Sequence, residues 1–180
     1  DYMMQREIEV KVLNIDPKEI EEKLVDLGAD KISHEFQKNY TFVPEEGVFE
    51  NGYLRIRETK YEDNGEKTIE LTFKRVESDD QFRVNNEYTV NIDSVSMMIK
   101  ILEELNIIIE YEGEKERISY SYKNQRFDID IWDKNTYPHP YMEIEFSNKD
   151  KMDEIIDDLS LDKANITTAS ITELREKLNK

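Results

Sequence analysis

The chain contains no cysteine. That excludes a disulfide framework, a Cys-ligated zinc and a thiol nucleophile, and it fits a reducing compartment. Its two histidines, His34 and His139, are far apart in sequence. Both read as surface or loop residues, and no Ser-His-Asp triad can be built from them. Five glycines and four prolines in 180 residues leave no Gly-rich phosphate loop and no linker that would divide the chain. No apolar run approaches the roughly 20 residues of a membrane-spanning helix, and no secretory pattern opens the sequence. From these absences we expect a cytoplasmic protein that makes no membrane contact.

Bases are also scarce. Lys and Arg number 25 against 42 Asp and Glu, for a net charge of -17. Such a surface keeps a protein soluble and repels other polyanions, and a binder of duplex nucleic acid would show a basic face instead. Any anion bound here must therefore meet a local gathering of bases inside an acidic envelope. The length suits one domain with its own core. We expect that domain to span 4–180, with residues 1–3 an addition ahead of Met4. A monomer or a homodimer is compatible with the acidic exterior.

What the chain has in abundance is strand-like alternation. Glu7 to Leu13, Tyr53 to Arg57, Thr68 to Lys74, Asn85 to Ile92, Lys115 to Tyr122, Arg126 to Trp132 and Tyr141 to Phe146 all alternate, and Lys38 to Val43 adds a shorter stretch. About eight strands is a number compatible with a closed barrel. Helices interrupt them. Asp16-Pro17-x-Glu19 is an N-cap signature, followed by Ile20, Leu24 and Leu27 on one face and Gly28 as the stop. A second helix follows Asp93, with Val95, Met98, Ile99, Leu102 and Leu105 on its face. A third follows Ser147, with Met152, Ile155, Ile156 and Leu159, and a fourth starts at Ser170, with Glu173 completing a capping box ahead of Leu174 and Leu178. Asn51-Gly52 is a turn signal. The fold class is α+β.

Residues two apart on a strand share a face. One set of faces is apolar, among them Ile8, Val10 and Val12, Leu54 and Ile56, Ile129 and Ile131, and Met142 and Ile144. The opposite faces carry Glu7, Glu9 and Lys11; Arg55 and Arg57; Glu70, Thr72 and Lys74; Asn85, Glu87 and Thr89; Lys115 and Arg117; Asp128 and Asp130; Glu143 and Glu145. An idle wet face also alternates, but it would hold more Ser, Asn and Gln. Here the Glu-x-Glu and Arg-x-Arg pairs set like charges about 7 Å apart on one face, an arrangement that is unfavourable unless a ligand of the opposite sign joins them. Hard cations such as Mg²⁺ or Mn²⁺ would satisfy the acids Glu7, Glu9, Glu143 and Glu145. Phosphates would satisfy Lys11, Arg55, Arg57, Lys74, Lys115 and Arg117.

Six ordered elements resemble those of the CYTH domain, the triphosphate tunnel metalloenzymes. They are Glu7-Ile8-Glu9-Val10-Lys11, Leu54-Arg55-Ile56-Arg57, Leu71-Thr72-Phe73-Lys74, Lys115-Glu116-Arg117, Phe127-Asp128-Ile129-Asp130-Ile131-Trp132 and Tyr141-Met142-Glu143-Ile144-Glu145. The resemblance implies a closed eight-stranded antiparallel β-barrel with flanking α-helices, open at both ends and charged inside. It implies a divalent-metal-dependent enzyme acting on a triphosphate-containing small molecule, with Mg²⁺ or Mn²⁺ at Glu7, Glu9, Glu87, Asp130, Glu143 and Glu145, and phosphates on the six bases. Lys11, Arg57 and Glu143 are the residues expected to carry catalysis. Members hydrolyse inorganic or organic triphosphates or, as class IV adenylyl cyclases, make cyclic AMP and pyrophosphate from ATP; a non-catalytic polyphosphate or nucleotide binder is a further alternative. The sequence departs from the family on one strand. Where many members carry Arg-x-Glu-x-Glu, this chain has Asn85-x-Glu87-x-Thr89, one base and one acid short unless Arg83 enters by a shift of register. The segment from Trp132 to Glu145, with Pro138 and Pro140, resembles a bacterial branch labelled class IV cyclase.

Overall fold

A computed structural model describes residues 2–78 and 81–180; Asp1, at the start of the expected 1–3 addition, lies outside them. The chain runs β1 (Tyr2–Val12), α1 (Pro17–Asp26), β2 (Asp30–Pro44), β3 (Gly52–Tyr61), β4 (Lys67–Val76), β5 (Arg83–Asn91), α2 (Val95–Glu104), β6 (Ile107–Tyr122), β7 (Gln125–Trp132), β8 (Tyr141–Glu145), α3 (Met152–Leu159), β9 (Ile166–Thr167) and α4 (Ile171–Leu178). The first eight strands close into an antiparallel barrel in the order β1-β5-β4-β3-β2-β6-β7-β8 and back to β1. The two-residue β9 adds to β1 opposite Lys11 and Val12. Among the described residues no helix is long and apolar enough to cross a membrane.

Alternation decides which way each side chain points, and here it places the apolar core outside the barrel. Val10, Val12, Ile118, Phe127, Ile129, Met142 and Ile144 pack outward against Ile20 and Leu24 of α1 and Met152, Ile155, Ile156 and Leu159 of α3. On the far wall Phe42, Leu54 and Ile56 meet Leu102 of α2, with Leu71, Phe73, Met98 and Ile99 packed around them. At one end Trp132, Tyr137 and Tyr141 receive Ile171 and Leu174 of α4. Each helix covers a strip of wall that would otherwise be bare, which is the usual two-layer solution.

The caps match the sequence reading closely. The Asp16 side chain accepts from the Glu19 amide and Pro17 opens α1; Ser170 and Glu173 form a reciprocal capping box on α4. Two helical stripes run past their helices, and a third runs past the buried face of its helix. Leu27 and Leu105 are C-cap residues of α1 and α2, and both are exposed; Leu178 closes α4 and is also exposed. The Leu periodicity continues where the core does not. The largest correction concerns β2. It is not a short strand over Lys38 to Val43 but spans 15 residues, long enough to pair with both β3 and β6. His34 therefore sits on a strand, with its two ring nitrogens on the carboxylates of Glu62 and Glu116.

Gly52 illustrates how tightly the outer core closes. A Cβ built there would stand 2.6 Å from the Phe73 ring and 2.9 Å from the Phe49 Cβ. Gly52→Ala is expected to destabilise the protein by about 1–3 kcal/mol through overpacking, read as a lower denaturation midpoint at unchanged m-value.

Candidate functional site

The barrel's interior is a narrow slot of about 90 Å³. Period two sends Glu7, Glu9 and Lys11 of β1 into it, and β3 contributes Arg55 and Arg57. Lys74 and Glu87 face each other across β4 and β5, in direct register. Lys115, Arg117, Glu143 and Glu145 complete the set from β6 and β8. Eleven of the twelve site residues expected from sequence thus line one cavity. The twelfth, Asp130, is on the same inner face but fully buried beneath two of those bases. One of its oxygens accepts from Arg117 Nε at 2.8 Å, and the other from Arg117 Nη2 at 2.8 Å and Lys115 Nζ at 3.1 Å. Those bonds occupy it as an anchor for two bases.

Sequence reasoning missed other lining residues. Tyr53 lies two residues before Arg55, where one more step of the same alternation finds it; Arg83, two before Asn85, is the base the sequence offers as a replacement on this strand. Arg83 needs no change of register: Glu9 pairs with Arg83 and Glu7 with Asn85. Arg83 therefore enters the slot one inward position earlier in the strand than Asn85, where the resemblance places the base, and stands 3.8 Å from Glu9. Asn85 donates to Glu9 at 3.0 Å, and Thr89 bonds Thr72 at 2.9 Å. Asp128, Trp132 and Tyr141 also line the slot, and so do Ser170 and Ile171, where α4 lies across one end. No local pattern announces that last contact, because it depends on how α4 docks.

Seven bases and six acids line the slot, against a chain in which acids far outnumber bases. They are not evenly mixed. Lys74 bridges Glu7 at 3.1 Å and Glu87 at 3.3 Å, and Lys11 and Arg117 approach Glu143 at 3.6 and 3.7 Å. Burial, against which Lys74 works and to which Glu9 adds, pushes Glu7 up to about 8. Glu87 goes the other way: despite burial, Lys74 and the Glu7 carboxyl hold it at about 2. Of these two neighbouring acids, Glu7 is the one pushed toward protonation and Glu87 the one held ionised. Burial, reinforced by Glu143, raises Glu9; burial, with Asp128 and Glu9, raises Glu145. Glu143 stays well below the ordinary range, because Lys11 and Arg117 outweigh its burial.

The basic wall is under the opposite stress. Arg55 is buried and its Nε has no hydrogen-bond partner. Among the described residues no carboxylate lies within ion-pair distance of Arg55 or Arg57, although every other base lining the slot has one. Burial, then the neighbouring Arg55 and Arg117, brings Arg57 down to about 10. Burial and Arg117 likewise push the Lys115 ammonium well below its usual range, against Asp130. One wall is thus short of cations and the facing wall short of anions.

Comparison with known proteins agrees with this geometry. The PH1819 protein from Pyrococcus horikoshii OT3 superposes with a TM-score of 0.80 at 21% identity, covering 96% of this chain and 99% of its own. A putative adenylate cyclase from Vibrio parahaemolyticus gives 0.73 at 12% identity, over 96% and 98%. HpAC1 from Hippeastrum, described as a putative adenylyl cyclase with a dominant triphosphatase activity, gives 0.67 at 16% identity, over 97% and 96%. At these identities the likeness is one of fold. None of the curated proteins compared with the chain matches it. The CYTH domain model matches residues 5–173, nearly the whole sequence, and the chain belongs to the CYTH domain family.

Proposed function

We propose that this protein binds a triphosphate together with a divalent cation in the barrel and hydrolyses the terminal phosphate. The observation that carries the reading is the orphaned pair Arg55 and Arg57. Two guanidinium groups withdrawn from bulk water, with no carboxylate within ion-pair distance among the described residues, are costly to maintain, and a polyphosphate is the ligand that relieves them with bidentate bonds.

The acids fit a hard cation by their chemistry. Glu7, Glu9 and Glu145 are carboxylates held toward protonation by burial and by neighbouring acids, and Glu87 Oε2 is buried 3.3 Å from the Lys74 ammonium. Glu7, Glu9, Glu87 and Glu145 would hold the ion, with Glu143 between them and the bases. Mg²⁺ or Mn²⁺ would there supply charge neutralisation and polarise phosphoryl oxygens. Asp130 is left out of this set, since its oxygens already hold Lys115 and Arg117. Lys11, Arg55, Arg57 and Arg117 would orient the phosphate chain, and Lys115, with Trp132 beneath its ammonium at 4.8 Å, would add a further donor. Water attacks the terminal phosphorus, the bridging P–O bond breaks, and the bases stabilise the charge that gathers on the leaving diphosphate. That is positioning and electrostatics, which phosphoryl transfer chiefly requires.

Size favours hydrolysis of a phosphate chain over chemistry on a nucleoside. A slot of about 90 Å³ is far below the ~300–1,000 Å³ of pockets that enclose organic ligands. The cyclase reading has one observation in its favour. Tyr53, Arg83 and Ser170 also line a second, more open cavity of about 310 Å³, walled by Phe49 and Val48, where an organic group could sit. Product analysis separates the readings. With Mg²⁺ or Mn²⁺, tripolyphosphate should yield orthophosphate and pyrophosphate, and ATP and thiamine triphosphate are run beside it. Cyclic AMP and pyrophosphate from ATP would establish the cyclase instead, and tight binding without turnover a binder.

The protonated Glu7 makes a second prediction. A metal ligand must be deprotonated, and Glu7 at about 8 holds its proton at neutral pH. Calorimetric titration with Mn²⁺ at pH 7, in two buffers of different ionisation enthalpy, is expected to show release of about one proton per protein. Equal heats in the two buffers would remove Glu7 from the ligand set.

A further inference from the structure

The lumen side of β2 carries no residue expected from sequence to act in the site, yet it is the most continuously hydrogen-bonded strip of the wall. Glu35, Gln37 and Asn39 point inward at every second position and are buried, at 7%, 2% and 2% exposure. Arg57 Nε donates to Asn39 Oδ1 at 2.7 Å. Asn39 Nδ2 donates to Gln37 Oε1 at 3.3 Å, and Gln37 Nε2 to Glu35 Oε1 at 3.2 Å. The other Glu35 oxygen accepts from Ser33 Oγ at 3.0 Å and lies 3.8 Å from Arg126. The three bonds from Arg57 to Glu35 all run in one sense. A group that can only donate stands at the inner end and one that can only accept at the outer end, which fixes the orientation of both amides between them. Aligned bonds of this kind polarise one another.

The contrast with the other bases gives the strip its meaning. Lys115 and Arg117 are held by Asp130, and Lys74 by Glu7 and Glu87. Each of those carboxylates fixes its base and also neutralises it. Arg57 is fixed through Nε by a neutral amide, while the compensating charge stands two side chains away. Its terminal nitrogens keep their full charge for a ligand.

We propose that Glu35, Gln37 and Asn39 form a positioning array that orients the Arg57 guanidinium toward the slot without neutralising it, so that these β2 residues set the affinity for the phosphate chain. The proposal rests on the triphosphate reading above. Its first test needs no ligand: in the free protein the Arg57 Nε–H should exchange slowly with solvent by NMR, and Glu35→Gln should speed that exchange. The second test is calorimetric titration of the full chain with tripolyphosphate in the presence of Mn²⁺. Asn39→Asp places a carboxylate directly on Arg57 and is expected to weaken binding about tenfold or more with no fall in melting temperature, an outcome a purely structural Asn39 would not give. Glu35→Gln should weaken binding about threefold. That effect should vanish in an Arg57→Lys background, because lysine has no Nε–H to be held. Unchanged affinity in Asn39→Asp and Glu35→Gln, with wild type binding normally, would overturn the array while leaving the triphosphate reading intact. Slow exchange without any tripolyphosphate binding by wild type would overturn the triphosphate reading and, with it, the role in affinity.

Discussion

Arg55→Met is expected to lower tripolyphosphate turnover by about 10²–10³-fold while leaving the empty protein as stable as wild type or more so. The two signs have one cause. In the barrel Arg55 is a buried cation whose Nε has no hydrogen-bond partner, and removing an unsatisfied group of that kind recovers roughly 1–3 kcal/mol. Methionine keeps much of the aliphatic stem, so little packing is lost. For a chain of this length the gain corresponds to a rise of about 2–4 °C in melting temperature per kcal/mol. Activity and thermal unfolding measured on the same preparation test both halves. A variant that lost activity together with several degrees of stability would show that Arg55 serves the fold, and the orphan argument would fail.

Asp130→Ala should produce the largest loss of stability of any single change in the tunnel. Asp130 has no exposed surface and holds two bases, Lys115 and Arg117. Deleting one partner of a buried ion pair typically costs about 3–5 kcal/mol, because the charge left behind is uncompensated; the melting temperature should fall on the order of 10 °C. The pH dependence follows from the same contacts. Against its burial, Arg117 and Lys115 hold Asp130 below the ordinary value of 3.8. A depressed carboxyl contributes stability that is fully present above its unfolded pKa and disappears as pH falls through the folded one. Wild type should therefore lose stability below about pH 4 more steeply than Asp130→Ala does. Parallel acid denaturation curves would refute the assignment.

The parts of this molecule that were legible in sequence are those where two contrasting residue sets alternate. Glu7-Ile8-Glu9-Val10-Lys11 has charges on one face and β-branched residues on the other, and both the strand and its inward face follow from that contrast. β2 lacks it. Its inward residues Glu35, Gln37, Asn39 and Thr41 include three uncharged ones, and its outward Phe36, Lys38, Tyr40 and Phe42 mix lysine with aromatics, so polarity does not tell one side from the other. Burial there is set by closure of the barrel, which is a property of the whole sheet. The docking of Ile171 against the slot has the same character. The capping box announces where α4 begins but not what lies beneath it. Asp130 marks a different limit. Alternation puts it on the inner face, yet only geometry shows that its oxygens are consumed by neighbouring bases.

The outward placement of the core has a consequence for how such a protein can change over time. The largest apolar cluster packs on one side of the β-wall, with Ile129, Met142 and Ile144 against α1 and α3, and the charged lining stands on the other. Because successive residues of a strand never share a side, a replacement in the lining leaves the helix-facing surface untouched. The interior can be re-lined piecemeal without renegotiating the packing that keeps the barrel closed. The fold itself is retained at TM-scores of 0.80 and 0.73 by neighbours of 21% and 12% identity. That separation makes the barrel an evolvable vessel, whose lining can be replaced while the wall stays the same.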